Sequence, residues 1–349
     1  MLKELTECSG VPGHEAEVRQ VIRKHVAPYA EITQDRLGSI ICMKKGASEE
    51  PRIMLAGHMD EIGFMVTHIS KEGYLKFQQL GGWWDQVLMS QRVVVKTKKG
   101  DVLGVIGSKP PHLMDAEERR KLVEKKDMYI DVGASSREEA QQFGIRPGDP
   151  VIPASNFSVM TNPKYLLAKA WDDRVGCALF IEVIKRLGQD HPNTVYGVGS
   201  VQEEVGLRGA VTSSFVVQPH VGFALEVSIA NDTPGVGEHE GQGKLGGGPA
   251  IVVYDASLVP NARLRDLVID TAQEEGISVQ FGSLSGGGTD AGRIHLTSAG
   301  VPSLVIGVPT RYIHSHQGII HLDDFENTVR LMVATINKLD RKTVEWLVE

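Results

Sequence analysis

The stretch RIMLAGHMDEIGFMV, residues 52–66, divides the chain. Its first half is a short run of apolar and small residues that reads as a buried strand, and a histidine and two acids then turn the chain before a second apolar run begins. Upstream, residues 14–29 carry apolar positions at helical spacing, and the N-terminal MLKELTECSGVPGHEAEVRQ reads as helix, turn, helix. Downstream the texture changes to short runs, GYLKFQQLGG (73–82), QRVVVKTKKGDVLGVIGS (91–108), MYIDVGA (128–134) and GIRPGDPVIP (144–153), punctuated by Gly and Pro as in a small β-rich barrel or sandwich. The polar stretch PHLMDAEERRKLVEKKD (111–127) within it predicts a surface loop or short helix.

From about residue 163 strands and helices alternate. YLLAKAWDDRVGCALFIEVIKRLG (165–188) predicts a strand or turn feeding an amphipathic helix. TVYGVGSVQEE (194–204), HVGFALEVS (220–228), GPAIVVYD (248–255) and GVPSLVIGV (300–308) predict strands, and LDDFENTVRLMVATINKLDRK (322–342) a single closing helix. Interleaving of this kind implies an α/β sheet with helices on its faces. The economical organisation is one α/β domain, residues 1–62 and 160–349, interrupted by an inserted β domain over 63–159.

A net charge of −7 argues against nonspecific nucleic-acid binding, which needs a basic surface. No apolar window is long enough for a membrane span, and the N-terminus lacks the apolar core of a signal peptide. Three widely separated cysteines, Cys8, Cys42 and Cys177, suit a reducing cytoplasm better than a disulfide framework.

Four places at element ends carry chemistry. In AGHMDEIG (56–63), His58 is a candidate metal ligand whose ring Asp60 would orient, although a histidine after a strand also has ordinary structural uses. In AKAWDDRVG (168–176), Asp172 and Asp173 precede a helix; one carboxylate suffices as a cap, and Arg174 next door would neutralise the other. In VQEEVGLRGA (201–210), Glu203 and Glu204 form either a solvated strand end or, around a metal, a ligand and a free base. Side chains adjacent in a strand face opposite ways, so both reach one site only if the chain turns, which Gly206 and Gly209 permit. Glu226 ends an apolar strand, and RYIHSHQG (311–318) offers His314 and His316. Two histidines and several carboxylates together are the ligand set of two divalent ions, whose charge would let adjacent glutamates coexist.

The ordered motifs GHMDEIGFMV, KAWDDRVG, QEEVGLRGA, ALEVSIANDTPG, GGGTDAG and RYIHS resemble the dinuclear metalloaminopeptidases of metallopeptidase family 42, which include the glutamyl and deblocking enzymes and the tetrahedral peptidases. The resemblance runs from SGVPGHEAEVR to the final helix. It implies two divalent ions, zinc or cobalt, with Asp172 bridging them, His58 and Glu226 completing one site and Glu204 and His314 the other. It implies Glu203 as general base, acting on a water shared by the ions, and Asp60 as the partner of His58. The family often has Asp where this chain has Glu226, a difference that bears on bite and metal preference. For the inserted segment the resemblance implies a small PDZ-like β-barrel that mediates dimerisation, with dimers assembling into a hollow tetrahedral dodecamer open to peptides. The expected reaction is removal of N-terminal residues from short peptides. The glycine-rich GSLSGGGTDAG (282–292) reads as a loop approaching the substrate, with Thr289 and Asp290 as candidate wall residues.

Two other functions are compatible with parts of this pattern. A carboxylate-pair glycoside hydrolase would need acids separated by roughly 5 to 9 Å, for which adjacent Glu203 and Glu204 are badly placed, and it leaves the histidines without a role. A noncatalytic peptide-binding scaffold would have no use for Glu203.

Overall fold

A computed structural model describes residues 1–237 and 243–349. The chain opens with α1 (Leu2–Glu7) and α2 (Ala16–Val26), then β1 (Glu31–Gln34), β2 (Ile40–Lys45) and β3 (Arg52–His58). β4 (Gly63–Ile69), β5 (Leu75–Leu80), β6 (Arg92–Thr97), β7 (Gly100–Gly107), β8 (Tyr129–Asp131), α3 (Arg137–Gln142) and β9 (Pro150–Pro153) follow. After β10 (Ser158–Val159) and β11 (Tyr165–Ala168) come α4 (Trp171–Arg186), β12 (Thr194–Ser200), α5 (Arg208–Val217), β13 (Val221–Ile229), β14 (Ala250–Asp255), α6 (Ala262–Glu274), β15 (Gln280–Leu284), α7 (Ala291–Ile294), β16 (Ser303–Arg311), β17 (Gly318–His321), α8 (Leu322–Lys338) and α9 (Arg341–Trp346).

Strands β4 to β9 close into an antiparallel barrel with its own core, in which Phe64 stacks on Trp83 at 4.9 Å between ring centroids. The other strands form one mixed sheet running β1-β2-β12-β3-β13-β16-β17-β11-β10, with β14 and β15 added beside β16. Its centre, β12-β3-β13-β16, is parallel and buried on both faces, as the near-continuous apolar strand sequences require. The fold is therefore a helix-flanked mixed α/β sheet with a separate closed six-stranded barrel. No helix among the described residues is long and apolar enough to cross a membrane.

Two sequence expectations change. The helix α4 is not amphipathic but buried on nearly every side, because it lies on β3 and β13 and is covered by α1 and α8. The closing helix is two: α8 ends at Lys338, and α9 restarts where the Asp340 carboxylate accepts the Thr343 N–H. Segment 111–127 is a surface loop, one of the two forms expected, with three single 3₁₀ turns in it.

Two glycines let α4 sit directly on the sheet. A Cβ at Gly57 would meet the Gly176 carbonyl carbon at 2.5 Å, and one at Gly176 would meet the Leu225 carbonyl oxygen at 2.0 Å. The first turn of α4 is thereby wedged against the ends of β3 and β13. A Cβ at Gly176 would also press on the Asp173 carboxylate at 2.3 Å, and the Leu225 carbonyl is main chain that cannot swing aside, so Gly176→Ala is expected to cost about 1–3 kcal/mol or more as a backbone shift, measured as a fall in denaturation midpoint.

Candidate metal centre

The parallel sheet brings the first residues together. Ser200 pairs with His58, and Ala56 pairs with Ala224, so continuing the same register sets Glu226 level with His58 on one face, at the carboxyl ends of both strands. That edge is where open α/β sheets place ligands. His58 Nε2 lies 3.9 Å from Glu226 Oε2 and 3.0 Å from Asp172 Oδ1, the latter delivered by the wedged start of α4.

Asp173 has a separate task. Its carboxylate accepts the His58 main-chain N–H at 3.0 Å and the Gly176 N–H at 3.0 Å, so one buried side chain fixes both the strand end and the helix start. Arg174 does not neutralise either aspartate. Its guanidinium turns away to Glu61 at 3.2 Å and to the carbonyls of Met59, Leu5, Cys8 and Gly10. Lys169 reaches both Glu61 oxygens at 2.6 Å, completing a buried ion triad beneath the site.

The strand β12 ends at Ser200, before the glutamate pair, and the chain turns through left-handed Gln202. The alternation of a strand therefore does not apply to Glu203 and Glu204. Both their N–H groups donate to the Asp60 carboxylate, at 3.0 and 3.1 Å, one to each oxygen. Gly206 and Leu207, also left-handed, then fold the chain back onto the Glu203 carbonyl before α5 begins. As a result Glu203 Oε2 stands 3.7 Å from His58 Nε2, and Glu204 Oε2 3.7 Å from His314 Nε2. Asp60 thus anchors the glutamate turn with its side chain, while its main-chain carbonyl accepts the His58 Nδ1–H at 2.9 Å; its carboxylate is 3.8 Å from that nitrogen.

His314 completes the cluster from the loop after β16. Its Nδ1–H donates to the Gly82 carbonyl at 2.7 Å, in the connection between barrel strands β5 and β6, and its Nε2 faces Asp172 Oδ2 at 3.3 Å. A carbonyl can only accept, so in both histidines the proton belongs on Nδ1 and the neutral ring would offer its Nε2 lone pair to the cluster. His316 separates from this group. It packs on Trp83 at 5.1 Å, neither ring nitrogen has a partner among the described residues, and burial pushes its pKa down to about 4.

The charges are unbalanced. Burial raises the pKa of Glu203 and Glu226 well above the usual carboxylate range, and burial with Asp172 nearby pushes Glu204 up to about 8. His58 and His314 are raised despite their burial, His58 chiefly by Glu203 and His314, to about 9, by Asp172. Oε1 of Glu204 and Oε1 of Glu226 find no hydrogen-bond partner among the described residues. Buried carboxylates with unspent acceptors, facing two imidazole nitrogens, are the donor set of a divalent cation. Among the described residues two groups that share His58 could hold an ion, His58 with Asp172 and Glu204, and His58 with Glu203 and Glu226, each with ligand atoms within 4.8 Å of one another.

The cluster opens on a cavity of about 660 Å³. Thr289 lines it, together with Gly286, Gly287 and Gly288, whereas Gly282 to Leu284 belong to β15 rather than to a loop. Asp290 lies beneath, fully buried, accepting from the Ser200 hydroxyl, with its pKa raised by burial to about 6. Asp173 takes the capping use that the sequence offered to either aspartate, but its bond to the His58 N–H and the use of Glu61 were not read from the sequence. Their only signal was an acid directly beside each assigned site residue, which is too common to single them out.

Comparisons with known proteins find relatives along nearly the whole chain. The family model described as M42 glutamyl aminopeptidase matches residues 38–331, and a second, described as AMPT, matches residues 1–22. The lysyl aminopeptidase of Pyrococcus furiosus is 36% identical over 345 residues, 97% of this chain and 96% of its own. The crystal structure of a TET aminopeptidase from a marine sediment Thaumarchaeota archaeon is 51% identical, with a TM-score of 0.97 over 99% of this chain and 97% of that one. The TET1 peptidase of Pyrococcus horikoshii, described as able to assemble into a tetrahedron or a large octahedral shell, is 36% identical, with a TM-score of 0.85 over 95% and 97% of the two chains.

Proposed function

The chain belongs to the M42 glutamyl aminopeptidase family, and from that premise we propose that it is a dinuclear metalloaminopeptidase that removes N-terminal residues from short peptides. The observation that carries this reading is the position of Asp172, whose two carboxylate oxygens face different histidines, Oδ1 toward His58 at 3.0 Å and Oδ2 toward His314 at 3.3 Å. A carboxylate so placed suits two cations, with His58 and Glu226 holding one and Glu204 and His314 the other. Zinc and cobalt both suit mixed imidazole and carboxylate donors. When bound, such ions supply polarisation of the scissile carbonyl and acidify the attacking water.

The remaining work falls to the protein. Glu203 accepts the proton of the water and returns it to the leaving amine, from a carboxylate that stands 3.7 Å from His58 Nε2 at the edge of the cluster. Asp60 holds the Glu203 and Glu204 main chain in place from below. The free amino terminus of the peptide meets the surplus carboxylates, which restricts cleavage to chain ends. The barrel serves dimerisation, and dimers build a tetrahedral dodecamer, a reading supported by the assembly described for the P. horikoshii relative. The three free cysteines suit a cytoplasmic location.

Chelation followed by readdition of metal tests this. EDTA is expected to abolish hydrolysis of aminoacyl p-nitroanilides, and Zn²⁺ or Co²⁺ to restore it, with two ions per subunit by elemental analysis. Full activity after exhaustive chelation would overturn the reading, and a single ion per subunit would overturn its dinuclear form.

A further inference from the structure

We infer that the specificity pocket of this site takes a large, neutral, apolar N-terminal side chain, and that Gly282 sets its depth. The inference rests on the aminopeptidase reading above and narrows it to a substrate class.

The cavity runs from the metal cluster across the sheet to β14 and β15. Strand register defines its floor: Val305 pairs with Val252, and Val252 with Gly282, so three consecutive strands present one row toward the same side. Two members of that row are valines, 1% and 8% exposed, and the third has no side chain. Leu207 and Leu284 add apolar walls. No Lys or Arg lines the cavity among the described residues, so the carboxylate of an acidic substrate side chain would lose its water without gaining a cation.

A basic side chain fares no better. Outside the cluster, Asp255 is the one acid among the described lining residues, and it is 1% exposed. Both its oxygens are committed, Oδ1 to the Ser257 N–H and hydroxyl at 2.6 and 2.7 Å, Oδ2 to the Thr289 hydroxyl at 2.9 Å. A lysyl or arginyl head group would have to break that network to find a counter-charge. Apolar side chains incur neither cost and gain from burial against the valine floor.

Gly282 is not required by backbone conformation. A Cβ there would meet Ser228 Oγ at 3.5 Å and Val252 Cγ2 at 3.9 Å, ordinary contacts, so the missing side chain is free space rather than relief of a clash. That space lies at the end of the floor, where a substrate side chain would extend.

The test uses the metal-loaded enzyme with p-nitroanilides of Leu, Phe, Ala, Glu and Lys. Leu or Phe is expected to exceed Glu and Lys in kcat/KM by about tenfold or more, and Gly282→Val to lower the Leu/Ala ratio by about tenfold or more, since a few methyl groups in an apolar pocket discriminate on that scale. Gly282→Ala, the milder change, is expected to lower the ratio in the same direction if the valine variant folds poorly. A preference for Glu or Lys with robust hydrolysis would overturn the substrate class alone. Hydrolysis of none of the five would overturn the aminopeptidase reading itself, and an unchanged Leu/Ala ratio in both variants would overturn the role of Gly282.

Discussion

Replacing Glu203 with Gln is expected to lower kcat by about two to four orders of magnitude, roughly 3–5 kcal/mol of barrier, while the purified protein keeps its metal. Gln preserves the shape of the side chain and its place on the Asp60-anchored turn, but its amide cannot take a proton. The measurement must include metal content, because Glu203 also lies in one of the two ligand groups, with His58 and Glu226. A ligand would betray itself by losing an ion along with activity. A base would lose rate alone. Retention of the wild-type rate would move the proton transfer to another residue.

Glu61→Ala is expected to cost about 3–5 kcal/mol of stability, a large part of what holds an ordinary domain together. The change strands Lys169 and Arg174, respectively 2% and 0% exposed, with their positive charges facing a vacated space. Arg174 would keep its four main-chain carbonyls, but among the described residues Lys169 would keep only the Cys8 carbonyl at 3.2 Å. By contrast, cutting the exposed pair Arg341–Glu345 should change stability by at most about 1 kcal/mol. Paired denaturant titrations of the two variants decide the matter. A loss below about 1 kcal/mol for Glu61→Ala would mean that the triad is wetter or more adaptable than its burial indicates. Because α1, the β3–β4 crossing and the start of α4 all meet at this triad, partial loss should also loosen the seat of His58 and Asp172.

The division of the chain at RIMLAGHMDEIGFMV was legible because period and composition both change there, and strand β3 does stop at His58. The companions of His58 were legible as residue types at element ends, since a charged group closing an apolar run is costly without a partner. What sequence could not supply was direction. Arg174 sits beside two aspartates yet spends its guanidinium on Glu61 and four carbonyls, because the helix carries its side chain away from the carboxylate face. Asp172 and Asp173 look interchangeable in the chain, but one spans two imidazoles and the other ties His58 to the helix. His314 and His316 both touch the barrel, at the Gly82 carbonyl and the Trp83 ring, but only His314 turns its second nitrogen to the carboxylates. The apparent amphipathicity of α4 failed for a related reason: its polar residues at the start belong to the site, not to solvent.

The bond from His314 to the Gly82 carbonyl joins a ligand to the barrel rather than to the sheet that carries the other ligands. A metal held by His314 would therefore act as a clasp between two separately cored bodies, and the two properties it connects would obey reciprocity. On the proposed reading, a contact that rotates the barrel and moves His314 would change the affinity for a metal held there. Equally, filling that position must stiffen the barrel on its seat. If the centre holds metal and the barrel carries the subunit contact, as proposed, metal supply and assembly would share one coupling free energy, and subunit association would report on how completely the centre is filled.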